Sequence, residues 1–178
     1  TKFNSNGTAK LYSTYLGGSS NELLASLYCT NTNELIAVLA TSSTDFPTTL
    51  NAYNNTYNGG IFTFAMANSI LYDNGSDIAI SKFNATGTSL IGSTYLGGSG
   101  NDGLNQSVAT NYNYGDDSRS DIAVDKYGDI YITSTTASID ILGTSGKAQP
   151  SNGGGFDGLL AKFNPDLSSL KWATYYGG

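Results

Sequence analysis

The sequence STYLGG occupies residues 93–98 and is one of three copies of the same segment. Residues 13–18 carry the same six letters, and residues 173–178 read ATYYGG, so the copies are 80 residues apart both times. The 18 residues that end in the first copy match the 18 that end in the second at 11 positions, and the second and third sets match at 9. The chain is therefore built from tandem copies of one unit.

The copies divide the 178 residues into a first repeat at 1–80, a second repeat at 81–160 and the start of a third at 161–178. Each full repeat carries an insertion, at about 61–75 in the first and about 107–121 in the second. The first insertion opens with the apolar run IFTFAM, which is too hydrophobic to remain in water. We expect it to form an extra strand or a packed patch.

The signals within a unit are those of β-strands. Residues 90–95, 122–124 and 130–133 are short runs of β-branched and aromatic residues between turn formers. Four such strands fit in a unit. A tight hairpin is predicted with a positive φ at Gly128, and Asn33, which tolerates that conformation next best, is its counterpart in the first repeat.

A second turn of each unit varies between copies. It reads NATG at 84–87, where the glycine suits a positive φ, but NPDL at 164–167. The third copy therefore predicts a different type of turn.

Residues that recur in every copy are predicted to be structural rather than catalytic. Tyr15, Tyr95 and Tyr175 are expected to pack between units, and the pairs Gly17-Gly18 and Gly97-Gly98 are expected to make turns. These glycines offer backbone amides to an anion in principle, although no helix or phosphate-loop pattern follows them.

Composition excludes several classes of function. Gly, Ser, Thr and Asn make up 82 of 178 residues, the net charge is −6 and there is no histidine. Ser-His-Asp and Cys-His catalysis are thereby excluded, and the acidic charge disfavours nucleic acid. No apolar run approaches the roughly 20 residues of a membrane span, so no membrane insertion is predicted. Cys29, the only cysteine, is predicted to be a buried thiol.

The motifs together resemble the bacterial beta-propeller repeat, also called the SBBP repeat. They are STYLGGS at 13–19 and 93–99, TDFPT at 44–48, IAVD at 122–125 and GDIYIT at 128–133. The resemblance implies an all-β fold of propeller-type blades, each with four antiparallel strands. It also implies a secreted or cell-surface protein of bacteria, and no shared catalytic residue.

The chain holds about two blades plus part of a third, whereas closed propellers use about four to eight. We expect that this chain alone does not close a ring. Its expected partners are therefore other blades of a longer polypeptide, or copies of itself that add head to tail.

The second insertion is the predicted ligand surface, through Tyr112, Tyr114, Asp116 and Asp117. Aromatic rings and carboxylates suit contacts with a glycan or a protein ligand. The alternative interpretation is a solvated loop.

Calcium is the one candidate cofactor. Asp73, Asp77, Asn101 and Asp102 supply oxygen ligands at close spacing. They do not match the EF-hand loop, and Asx-turns explain the same residues equally well.

The sequence predicts a non-enzymatic extracellular module that serves as scaffold, adhesin or surface-filament subunit. The alternative is a carbohydrate-active propeller enzyme that uses paired carboxylates, with Asp116, Asp117 and Asp140 as candidates.

Overall fold

The computed structural model describes residues 1–65, 69–106 and 113–178, and the fold in these ranges is all-β. The strands are β1 (Lys2–Phe3), β2 (Lys10–Tyr12), β3 (Glu22–Cys29), β4 (Leu35–Thr41), β5 (Thr63–Ala65), β6 (Ile70–Tyr72), β7 (Asp77–Phe83), β8 (Leu90–Leu96), β9 (Asp121–Val124), β10 (Ile130–Thr136), β11 (Asp157–Phe163) and β12 (Leu170–Tyr176).

These strands form two four-stranded antiparallel sheets and two small hairpins. Sheet 1 has the order β3-β4-β7-β8, and sheet 2 has the order β9-β10-β11-β12. The hairpins are β1-β2 and β5-β6. The described residues form no closed ring of sheets, in line with the expectation for about two units.

The sheets and the sequence repeats are out of phase. Sheet 1 begins at Glu22 and ends at Leu96, so residues 80 and 160, the repeat boundaries drawn from the sequence, fall inside β7 and β11. When the sequence is shifted by the offset of 80 residues, β1 and β2 align with β7 and β8. The N-terminal hairpin therefore corresponds to the last two strands of a sheet.

Both predicted hairpin residues have a positive φ, +84° at Gly128 and +63° at Asn33, so that prediction is confirmed. The prediction of a different turn at 164–167 is wrong. Leu167 has a φ of +61°, and its N–H donates to Asn164 O at 3.2 Å. Its side chain is fully buried in the core, and this burial compensates for the strained backbone.

The main core lies between the two sheets. β4 is buried on both faces over nearly its whole length and β7 over all of it, whereas buried and partly exposed residues alternate in β10 and β11. Sheet 1 is thus covered on both sides at its centre, while sheet 2 keeps one face open. The core residues include Ile36, Val38, Ile78 and Ile80 of sheet 1 and Ile130, Ile132, Leu159 and Phe163 of sheet 2.

The first insertion forms the hairpin β5-β6, as expected for an extra strand. The expectation that its apolar run leaves water is wrong for Ile61, Phe62 and Phe64, which are 80%, 58% and 43% exposed. Ala65 and Tyr72 of this hairpin pack with Ala40 and Leu104. In the second insertion, residues 107–112 lie outside the described residues, and Tyr114–Asp116 form a 3-10 turn.

Cys29 is exposed at the end of β3, so the prediction of a buried thiol is wrong. β3 is an edge strand of sheet 1. The apolar residues before Cys29 in the sequence indicate a covered strand. The exposure of Cys29, however, depends on whether another element covers the face of β3 that carries it.

Candidate functional site

Two of the three recurrent tyrosines, Tyr95 and Tyr175, each anchor the loop between the second and third strands of their sheet. Tyr95 Oη donates to Ser43 O at 2.8 Å and accepts from Phe46 N at 2.9 Å. Tyr175 Oη accepts in the same way from Ile141 N at 3.0 Å. Both rings are buried, as predicted, but Tyr15 is fully exposed. The prediction that Tyr15 packs between units is therefore wrong.

The last glycine of STYLGG and the residues after it join sheet 1 to sheet 2. Gly98 N donates to Asp102 Oδ2 at 3.0 Å, and Ser138 Oγ donates to the same oxygen at 2.8 Å. Ser99 N donates to Asp140 Oδ1 at 2.8 Å. Ser138 and Asp140 follow β10 of sheet 2, whereas Gly98 and Ser99 follow β8 of sheet 1. We name this set of five residues the clasp.

An equivalent set of contacts joins the N-terminal hairpin to sheet 1. Gly18 N donates to Glu22 Oε1 at 3.3 Å, and Ser43 Oγ donates to the same oxygen. Ser19 N donates to Asp45 Oδ1 at 2.8 Å. The anion that the glycine amide binds is therefore a carboxylate of the chain itself.

Asp102 of the clasp lies close to a second buried carboxyl group, that of Asp77. A Cβ on Gly97 would lie 2.3 Å from Asp77 Oδ1 and 2.8 Å from Asp102 Oδ2. Asp77 accepts from Asn58 N at 2.8 Å and from Gly59 N at 3.0 Å. Burial, with the nearby charge of Asp102, raises the pKa of Asp77 to about 8, and burial raises the pKa of Asp102 to about 6. Both shifts favour the protonated carboxyl group over the carboxylate in the folded chain.

Three of the four predicted calcium ligands lie in or beside the clasp. Asp77, Asn101 and Asp102 are buried there, and Asn101 Oδ1 accepts from Ser76 N at 3.2 Å. Asp73 is exposed. In the part of the chain that the structure describes, no group of three or more His, Cys, Asp or Glu residues is placed to hold a metal. Calcium binding stays a prediction.

The predicted ligand loop is only partly described. Tyr112 lies outside the described residues, and the side chain of Tyr114 is not described. Asp116 accepts from Asn113 N at 3.3 Å and forms an ion pair with Arg119. Asp117 is buried. Asp116 thus shapes the turn, and the prediction of a ligand surface remains untested.

Sequence reasoning missed a cluster on the open face of sheet 2. The rings of Tyr131 and Trp172 are 6.1 Å apart, and Lys162 Nζ lies 4.7 Å from the centre of the Tyr131 ring. Lys162 also pairs with Asp129 at 2.9 Å. Contacts with Tyr131 and Asp129 raise the pKa of Lys162. The sequence feature that could have revealed this cluster is Trp172, the only tryptophan, which occupies the position of Gly92 in the preceding copy.

A shallow cavity of about 150 Å³ accompanies this cluster, lined in part by Ile122, Thr133 and Leu160. The described ranges contain no helix of the length and apolarity that a bilayer crossing requires. Comparisons with protein-family models, with curated proteins and with solved structures found no match to this chain.

Proposed function

We propose that this chain is a non-enzymatic structural module of a secreted or cell-surface protein, and that it works by stacking sheets of the beta-propeller-repeat type. One observation carries the proposal. Ile80 and Leu96 of sheet 1 are 0% and 2% exposed beneath sheet 2, whereas their counterparts Leu160 and Tyr176 of sheet 2 are 37% and 77% exposed. Equivalent apolar positions are covered in one sheet and open in the next, which is the pattern of a stack that continues.

The repeated clasp supports the same function. Residues that occur in several copies join sheets, and their buried carboxyl groups accept hydrogen bonds from backbone amides and hydroxyl groups. Such groups give rigidity to a scaffold. Ligand contacts, where a scaffold or adhesin makes them, come from loops on that rigid frame.

Sedimentation velocity at rising protein concentration tests the stacking. We expect head-to-tail association that Leu160→Asp weakens about tenfold or more, because the substitution buries an unpaired charge in the contact. The matched control is Leu50→Asp, since Leu50 is 94% exposed in the loop after β4. Equal association of the two variants would contradict stacking through this face.

A glycan array followed by a product assay separates the module from the carbohydrate-active enzyme. Two of the carboxylates that such an enzyme would use are engaged, Asp140 with Ser99 and Asp116 with Arg119. We expect no product, and release of a cleaved glycan would overturn the proposal. Alanine at Tyr112, Tyr114, Asp116 and Asp117 together tests whether their loop binds any glycan retained on the array.

A further inference from the structure

A cavity of about 270 Å³, here named the N-terminal cavity, lies between the β1-β2 hairpin and sheet 1. Its lining is largely apolar and includes Tyr12, Leu16, Leu24, Leu27, Leu35 and Phe83. We propose that this cavity is the docking site of a two-stranded β-hairpin of the same repeat, which pairs with the free edge of β1 and covers Leu27 and Cys29. The inference rests on the proposed function and names the partner for one end of the stack.

The pairing of the strands indicates what is missing from this site. In sheet 1, β7 pairs with β8 on one side and with β4 on the other. β1 occupies the place of β7 in its own unit but pairs only with β2 among the described strands. A strand equivalent to β4, joined to one equivalent to β3, would complete a four-stranded sheet on that edge.

The exposure of equivalent residues shows that a cover is absent. Leu27 of β3 is 54% exposed, whereas Ile122, at the same place in β9, is 8% exposed. Ile122 packs in the core with Ile36 and Val38 of β4. The hairpin β3-β4 thus covers Ile122, and a hairpin of the same kind in the N-terminal cavity would cover Leu27.

Charge also favours a hairpin of this repeat. Lys82 pairs with Glu34 at 3.0 Å, and Lys162 pairs with Asp129 at 2.9 Å. Each acid lies in or beside the turn of the hairpin that precedes its lysine in the same sheet. Lys2 stands at the equivalent lysine position, and its Nζ donates to the Asn33 side chain at 3.5 Å. A docked hairpin would bring the equivalent acid to Lys2.

Cys29 provides the measurement, because it is the only cysteine, is exposed and lies two residues from Leu27 on the same face of β3. The probe is a synthetic peptide of residues 21–42 in which Cys29 is replaced by serine. We expect a saturating concentration of the peptide to slow the reaction of the Cys29 thiol with a disulfide reagent by about tenfold or more.

Two matched controls define the site. The first is the same peptide with Glu34→Lys, which would place a lysine against Lys2 and should protect Cys29 about tenfold less at equal concentration. The second is Leu27→Asp in the full chain, for which the ratio of thiol reaction rates with and without peptide should approach one. Leu27 is 54% exposed, so this variant is expected to fold.

Three results would overturn the inference: no protection by the peptide, equal protection by the charge-reversed peptide, or protection that rises with chain concentration when no peptide is present. The last would identify a second copy of the chain as the occupant. None of these results depends on Leu160, which lies on the open face of sheet 2. If this inference fails but association of the chain still requires Leu160, the proposed function stands.

Discussion

Gly97 lies so close to the carboxyl group of Asp77 that a Cβ on Gly97 would come within 2.3 Å of Asp77 Oδ1. Gly177 has the same relation to Asp157, at 2.2 Å. Neither glycine has a positive φ. A positive φ therefore does not explain Gly97, which is predicted to be a turn glycine; its missing side chain allows the close approach of a buried acid to the backbone.

Gly97→Ala is expected to lower the free energy of unfolding by about 1–3 kcal/mol, since the new methyl group overlaps a buried carboxyl group. Urea denaturation measures the change. Gly115→Ala is the control, because Gly115 also lacks a positive φ and, among the described residues, an added Cβ would come close only to the flexible side chain of Asn113. Equal stability of the two variants would contradict the packing of Gly97 on Asp77.

The free energy of unfolding is expected to fall as pH rises from about 4 to about 8. Asp77 has its pKa raised to about 8, so the folded chain retains a proton that the unfolded chain loses near pH 4. Its stabilising effect is complete below the unfolded pKa and is lost as pH rises through the folded one. Urea midpoints from pH 4 to pH 9 measure this slope.

Asp77→Asn should flatten that slope. Asparagine has one acceptor oxygen for the two amides that Asp77 binds, so the variant is expected to be less stable at every pH, and the slope is the readout. Asp45→Asn is the control, and it should leave the slope above about pH 4 unchanged. Hydrogen bonds from Ser19 lower the pKa of Asp45, so the pH dependence that Asp45 contributes lies at more acid pH. A slope that Asp77→Asn leaves unchanged would mean that another group carries the proton.

Tyr95→Phe is expected to cost about 1–3 kcal/mol in the free energy of unfolding, because Phe46 N and Ser43 O lose their buried partner. Thermal unfolding measures the loss. Tyr15→Phe should change nothing, since Tyr15 is fully exposed. Equal melting temperatures for both variants would show that the Tyr95 hydroxyl does not anchor the loop.

Leu167→Gly tests whether the burial of the Leu167 side chain outweighs the strain of its positive φ. Relief of the positive φ at Leu167 is worth about 1 kcal/mol, whereas loss of a fully buried leucine costs about 2–5 kcal/mol. The net expectation is destabilisation by about 1–4 kcal/mol in urea denaturation. Asn33→Gly, at an exposed turn with the same φ, should be within about 0.5 kcal/mol of the parent. A more stable Leu167→Gly variant would mean that strain outweighs packing.

Melting temperatures in calcium and in chelator are expected to be equal. The buried oxygens of Asp77 and Asn101 already accept hydrogen bonds from the chain, and Asp73 is exposed. If calcium raised the melting temperature and Asp77→Asn abolished that increase, the predicted calcium site would be established instead.

The repeat allowed the strand pattern to be predicted because strands and hairpin turns are local. Alternating apolar residues mark β10, and the positive φ at Gly128 and Asn33 follows from residues within the turn itself. Leu167 escaped this reasoning, since its conformation is stabilised by burial between two sheets that are distant along the sequence.

The order of residues by itself determined an all-β chain of tandem units, because each strand and turn depends on near neighbours and the copies share them. Which copies of a residue are buried was decided only by the tertiary structure. Leu27 and Ile122 occupy the same place in their units, yet one is half exposed and the other covered. The difference has a simple physical reason: exposure depends on the sheet that lies next to a residue, and a repeated sequence does not record which of its sheets has a neighbour.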